Sequence, residues 1–374
     1  MTRNKQILVI GQTPPPYGGQ ALMMKVLLEG KYENVSLTHL DMRFSRNMDR
    51  MGHLELYKLW VLIKTILLAW KFRLFHKTNV LYYGPSGPNK LAMYRDMILL
   101  FFIRPLFNKT IFHTHAGGIS QLYEGLSIFS KYLFRIAFFN PDILIKLTDF
   151  SHGDEKVLKA KNTFVVPNGI KDTFSSVANN SYQKNKDFKK EGYTYLLYVG
   201  ALYKERGIEE LIKTCLILKN KKIKFVLHLI GMFQFKDYEK EIENLIFSNG
   251  LKDNVLLIGE KRGLEKWKYF YMSDIFCFPS YVASESFGLV LIESMQYSNP
   301  IVAFDWNGIS NVVENDSGIL VKPKDVIAFA YNLELLINDK VLRIKMGDNG
   351  RELFDKKYTI EKFYHNINNV FKKI

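Results

Sequence analysis

A chain of 374 residues, 47% hydrophobic and 24% charged, is apolar enough to bury two cores of ordinary size and too apolar to be disordered. Its net charge of +15 is concentrated in the first 180 residues, where 23 Lys and Arg face 12 Asp and Glu. No zinc-finger, helix-turn-helix or RNP-type pattern accompanies that charge, so nucleic acid is set aside and an anionic membrane surface is kept as a partner. Cys215 and Cys277 lie in apolar runs without CxxC spacing and read as core residues of a cytoplasmic protein.

In chain order, Ile7–Ile10 reads as a first strand, being too short for a signal-peptide core. The turn after it, Gly11-Gln-Thr-Pro-Pro-Pro-Tyr-Gly-Gly-Gln20, is not a dinucleotide fingerprint, whose glycines stand closer to the strand. Gly18 and Gly19 end that loop where a helix begins near Gln20, and they permit close approach of a ligand to the backbone. Leu54–Phe75 is rich in Leu, Ile, Trp and Phe, but Lys58, Lys64, Lys71 and Arg73 interrupt it, which argues against a membrane span. Two readings stay open: a sheet-covering helix with snorkelling lysines, or a helix holding Trp60 and Trp70 in a lipid interface. Tyr94–Phe107 is a second segment of that kind. Val80–Tyr83, Thr110–His113, Ile143–Leu147 and Phe164–Val166 continue the strands of the first half. His113-Thr-His115 ends one of them, and the two imidazoles are expected to point to opposite faces, against a shared metal.

A polar stretch, Asp172–Gly192, separates this half from a second series of strands: Tyr195–Val199, Phe225–Ile230, Val255–Ile258, Ile275–Phe278, Ile301–Phe304 and Gly318–Val321. Strands alternating with helical stretches predict parallel sheets covered by helices, with ligands at the carboxyl ends of the strands. After Ile275–Phe278 comes Glu285-Ser-Phe-Gly-Leu-Val-Leu-Ile-Glu293, followed by Asn299-Pro300. Glu285 falls on a loop and Glu293 about two turns inside the helix that begins at Gly288. A helix N-terminus offers unpaired N–H groups to a phosphate, with one acid on each side to accept from hydroxyls. That is the layout of a nucleoside diphosphate sugar.

This segment resembles the sugar-nucleotide signature of the retaining glycosyltransferases of family 4. The resemblance implies the GT-B fold: α/β, two facing Rossmann-like, doubly wound parallel-sheet domains with a cleft between them. The domains would span 1–171 and 193–355, with a linker at 172–192 and a C-terminal helix at 356–374 packing back on the first domain. It implies that Glu285 contacts the donor sugar and Glu293 the ribose, while Ser286, Phe287, Gly288 and Leu289 meet the diphosphate. Gly18 and Gly19 match the family's Gly-Gly loop, and His115 matches the second histidine of an His-x-His segment beside the donor sugar. In Val199-Gly-Ala-Leu-Tyr-Lys-Glu-Arg-Gly207, Arg206 matches one of two expected cations; Ala201 stands where the other would be, with Gly200 before it and Lys204 nearby. Glu260 and Lys261 occupy the stretch that runs past the nucleobase. Ser298 replaces the usual glycine before Asn299-Pro300.

The implied function is hexosyl transfer from a nucleotide sugar, with retention, to a saccharide acceptor linked to polyprenyl diphosphate, in the synthesis of a capsule or O-antigen. The protein would touch the anionic inner face of the plasma membrane peripherally. The chain contains no Asp-x-Asp pair, so no metal is expected, and no cofactor beyond the donor substrate. Two alternatives stay open: a sugar-nucleotide epimerase of the same fold, and a silent donor- or lipid-binding partner of a polysaccharide assembly complex.

Overall fold

The computed structural model describes residues 4–15, 17–43, 56–76, 78–150, 153–178, 189–314 and 316–374. Residues 179–188 of the expected linker, along with Pro16, Leu54 and Glu55, lie outside them. The chain divides into two compact units, Met1–Asn168 with Glu361–Ile374, and Gly169–Ile360.

The first unit runs β1 (Lys5–Gly11), α1 (Gly19–Glu29), β2 (Val35–Asp41), α2 (Leu56–Phe75), β3 (Val80–Tyr83), α3 (Lys90–Ile103), β4 (Lys109–Thr114), α4 (Ile128–Phe138), β5 (Ile143–Lys146), α5 (Asp154–Leu158) and β6 (Asn162–Val165). Its six strands are all parallel, in the order β2-β1-β3-β4-β5-β6. β2 is absent from the sequence reading. Its Val-Ser-Leu-Thr-His-Leu-Asp alternates instead of forming an apolar run, as suits an edge strand with one half-wet side. One sheet face packs Leu8, Ile10, Leu81, Tyr83 and Phe112 against α2, α3 and α4 in a single core.

The second unit runs α6 (Phe174–Ala178), β7 (Thr194–Val199), α7 (Ile208–Asn220), β8 (Phe225–Ile230), α8 (Lys236–Ser248), β9 (Val255–Gly259), α9 (Gly263–Met272), β10 (Ile275–Phe278), α10 (Leu289–Met295), β11 (Ile301–Phe304), α11 (Ile309–Val312), β12 (Gly318–Val321), α12 (Val326–Asn338) and α13 (Lys340–Leu353). Its strands are again all parallel, in the order β12-β11-β10-β7-β8-β9. Cys215 and Cys277 are buried, unpaired core residues. The last helix, α14 (Ile360–Lys372), lies almost wholly in the first unit. There Phe371 meets Tyr32 and Tyr82 edge-on, and the Glu33 amide donates to Asn368 Oδ1 at 2.9 Å.

Each sheet reverses its strand order once, between β1 and β3 and between β7 and β10. At such a point the flanking loops diverge and leave a crevice at the strand carboxyl ends. The loops that open there begin at Gly11, Gly84, Gly200 and Pro279, which include the segments singled out in the sequence.

Candidate functional site

In the second unit the site grows from the loops after β7 and β10. The chain leaves β7 through Gly200 and passes a short 3-10 turn, Lys204–Arg206, before Gly207 starts α7 with φ 73. A Cβ at Gly207 would overlap the Pro279 carbonyl, so only glycine lets this turn lie against the loop after β10. That loop is braced from the other side. Trp306 Nε1 donates to the Val282 carbonyl at 2.9 Å, and Asn307 Nδ2 donates to the Ala283 carbonyl at 2.9 Å. A Cβ at Gly308 would overlap the Ser286 carbonyl.

This bracing brings Arg206 and Glu285 together. Arg206 Nη1 donates to Glu285 Oε2 at 2.5 Å and to Ser280 Oγ at 3.3 Å, and the guanidinium lies over the Tyr203 ring. Burial, the largest single influence, pulls the guanidinium pKa down; the Glu285 charge and hydrogen bond, together with Tyr198 and Tyr203, more than offset it and hold the pKa above its ordinary value. Arg206 is therefore a permanent cation, and its Nε, also buried, has no partner among the described residues. Gly288, at φ 77, precedes α10 and sets its first turn; Ser286 and Phe287 are buried, with Phe287 edge-on to Tyr358.

Glu293 sits in the fifth position of α10 with its side chain 9% exposed. Lys266 of α9 donates to Glu293 Oε1 at 2.7 Å, and Oε2 is buried without a partner among the described residues. Lys266 escaped the sequence reading because nothing in Glu265-Lys266-Trp267-Lys268 separates it from solvated helix charges. Glu260 and Lys261 follow β9, the edge strand, where they pair locally with Arg262 at 2.7 Å and Glu265 at 3.9 Å. Lys204 is exposed, and the Ala201 carbonyl accepts from Tyr198 Oη at 3.0 Å.

In the first unit Gly18 caps α1, and a Cβ there would meet open space. Gln20 Nε2 donates to the Gly84 carbonyl at 2.9 Å, joining the loops after β1 and β3. One expectation is corrected here. The rings of His113 and His115 do not diverge; their centroids lie 4.1 Å apart with a 34° tilt. Alternate residues of a strand share a face, so the i, i+2 spacing brings them together. Burial pulls His113 well below its usual pKa and His115 to about 4, so neither is charged near neutral pH. Burial also keeps the Tyr82 hydroxyl protonated, and it shares a hydrogen bond with His113 Nδ1. His113 Nε2 and both His115 nitrogens are buried without partners among the described residues. The following loop is held by Asp154, which accepts from the Gly118 and Ser120 amides at 2.9 Å each.

Comparison with known proteins agrees with this architecture. A family model described as glycosyl transferases group 1 matches residues 180–353. The capsular polysaccharide biosynthesis glycosyltransferase CapM of Staphylococcus aureus is 26% identical over 320 residues, covering 83% of this chain and 80% of CapM. Among solved structures, sucrose-phosphate synthase from Thermosynechococcus elongatus superposes with a TM-score of 0.74 at 18% identity, covering 99% of this chain and 98% of that one. HepE of Anabaena, in complex with UDP and glucose, gives a TM-score of 0.69 at 18% identity, covering 98% and 99%. At these identities the structural likeness shows the fold, two Rossmann-like units of the GT-B type.

Proposed function

We infer, for a chain of GT-B fold whose residues 180–353 match the model of the group 1 glycosyl transferases, that it moves a hexose from a nucleoside diphosphate sugar to a saccharide hydroxyl, with retention at the anomeric carbon. The observation that carries this reading is a buried donor and a buried acceptor, Arg206 Nε and Glu293 Oε2, both without partners among the described residues and both in the segments that follow β7 and β10. A diphosphate satisfies the first and a ribose hydroxyl the second. Charge on the departing diphosphate would be stabilised by Arg206 and the amides at Gly288 and Leu289, preorganised groups of the kind that dominate transition-state stabilisation. A fixed cation at that position can replace a metal ion, so the reaction should survive chelation. Glu285 would orient the sugar, and the uncharged His115 would exchange hydrogen bonds with its hydroxyls. Retention would follow from same-face displacement, with a donor phosphate oxygen taking the acceptor proton.

CapM's role in capsular polysaccharide synthesis supports a polysaccharide acceptor, which we place on a lipid carrier at the cytoplasmic side of the membrane. The UDP and glucose held by HepE put uridine donors first in any screen.

The test is release of nucleoside diphosphate from a panel of sugar nucleotides, with and without membrane lipid extract and with EDTA. Acceptor-dependent release that is unchanged by EDTA is expected. Glu285→Ala and Glu293→Ala should each lower kcat/KM by on the order of 10² while leaving Tm near wild type. Binding of a donor without turnover under any condition would overturn the reading.

A further inference from the structure

The first unit carries an apolar face that its own core does not use. Helix α2 has two apolar stripes. The inner one, Val61, Leu62 and Ala69 with Thr65, is buried against the sheet. The outer one, Leu56, Trp60, Ile63, Leu67, Trp70 and Leu74, repeats at alternating spacings of four and three and is exposed along its length, with Trp60 at 56% and Leu67 at 59%. On α3, packed beside α2, Leu91, Tyr94, Ile98 and Phe102 form a parallel exposed stripe. Trp70 Nε1 donates to the Phe102 carbonyl at 3.0 Å, which ties the two stripes together. On the far side of α3, α4 opens with Ile128, 92% exposed, then Phe129 and Tyr132. Isolated apolar residues on a surface are ordinary; a contiguous sheet of them across three helices marks an interaction site.

Charge identifies the occupant. The charged residues of α2 are Lys58, Lys64, Lys71 and Arg73, and those of α4 are Lys131 and Arg135. The one acid of α3, Asp96, is fully buried, accepting from Tyr83, Ser86 and Arg95, so the three helices present no exposed carboxylate. An acid of the preceding loop, Glu124, borders the face 3.7 Å from Lys131. A second copy of this chain docked along the four-three seam would set Lys64, Lys71 and Arg73 against like charges. A single partner helix would cover α2 and leave the stripes of α3 and α4 in water. A lipid surface meets all three at once: aliphatic side chains enter below the headgroups, Trp and Tyr take the interface, and lysines reach lipid phosphates. No helix among the described residues is long and apolar enough to cross a membrane, and α2 already commits one side to the core.

We propose that the outer faces of α2, α3 and the start of α4 seat this protein on an anionic lipid bilayer. The inference stands apart from the donor site and holds whichever sugar is transferred.

The experiment is sedimentation of the full chain with vesicles of phosphatidylcholine alone, or of equimolar phosphatidylcholine and phosphatidylglycerol, at low and high salt. Binding to the anionic vesicles, weakened by salt and accompanied by a blue shift of tryptophan emission, is expected. Trp60→Glu with Leu67→Glu should weaken binding by roughly tenfold or more, since two exposed apolar side chains that would enter the bilayer are replaced by charges that lipid phosphates repel. Lys64→Glu with Lys71→Glu should do the same by charge alone, and it tests the idea should the first variant fold poorly. Ile327→Glu, on an exposed apolar position of α12, should change nothing. Failure of wild type to sediment with anionic vesicles, or equal binding by wild type and both double variants, would overturn the proposal. So would a dimer in velocity sedimentation that Trp60→Glu with Leu67→Glu dissociates.

Discussion

Each titratable residue described above is fixed by what surrounds it. His113, His115 and His228 are all held below their usual pKa by burial, His115 and His228 at about 4. The unfolded chain takes up protons at these positions as pH falls through the ordinary imidazole value near 6.5, and the folded chain refuses them until far lower pH. Their stabilising effect is therefore complete near neutrality and is lost as pH falls from about 6.5 toward 4. Thermal unfolding followed by circular dichroism should show Tm declining across that window. His115→Asn, which removes one such group, should flatten the decline; an identical slope in the variant would refute the assignment. Glu285 and Glu293 were singled out in the sequence because they flank a helix start after an apolar strand, and Arg206 only because its segment resembles the family's; the structure adds that Arg206 pairs with Glu285. Lys266 and Tyr82 were not singled out, because their partners are distant in the chain and only the packed sheet brings them near. Ser298 shows the reverse case: its φ of 54 explains why glycine suits that position, a fact the sequence registered only as a departure.

Among the elements, the strands carried most of the predictive signal. Buried parallel strands are short apolar runs bounded by polar turns, and β3, β8, β10, β11 and β12 match their expected limits. The half-wet edge strand β2 gave no such run. Loops were legible only where glycine marked them, and the structure now separates two uses of that residue. Gly308 is held against the Ser286 carbonyl, so Gly308→Ala must displace the loop bearing Glu285; we expect a loss on the order of 1–3 kcal/mol by denaturant titration. Gly18 faces open space at φ −125, so Gly18→Ala should change stability by less than about 1 kcal/mol. Its effect should fall on donor-dependent turnover, because a methyl group stands where a ligand would approach the α1 backbone. Unchanged turnover in Gly18→Ala would remove that loop from the site.

At the scale of the whole molecule, the chain closes its first unit with its last helix. Phe363, Ile367, Val370 and Phe371 of α14 are buried, Lys372 pairs with Glu33 at 2.9 Å, and Lys109 Nζ donates to the Ile374 carbonyl at 3.0 Å. Removing residues 361–374 should cost the first unit about 5 kcal/mol or more, a large share of a domain's stability. Hydrogen exchange should then accelerate in β1 and β3, next to Tyr32 and Tyr82, while β7 to β12 keep their protection. Uniform acceleration in both sheets would mean that the units do not unfold separately.

That closing helix also fixes the order in which the protein is completed during synthesis. Domains emerging from the ribosome ordinarily fold amino-terminal first. Here the leading unit waits for residues 361–374, which are made after the whole of Gly169–Ile360, so the trailing unit has all its residues first. Until those residues arrive the seat for Phe371 stays uncovered, a standing invitation to chaperones.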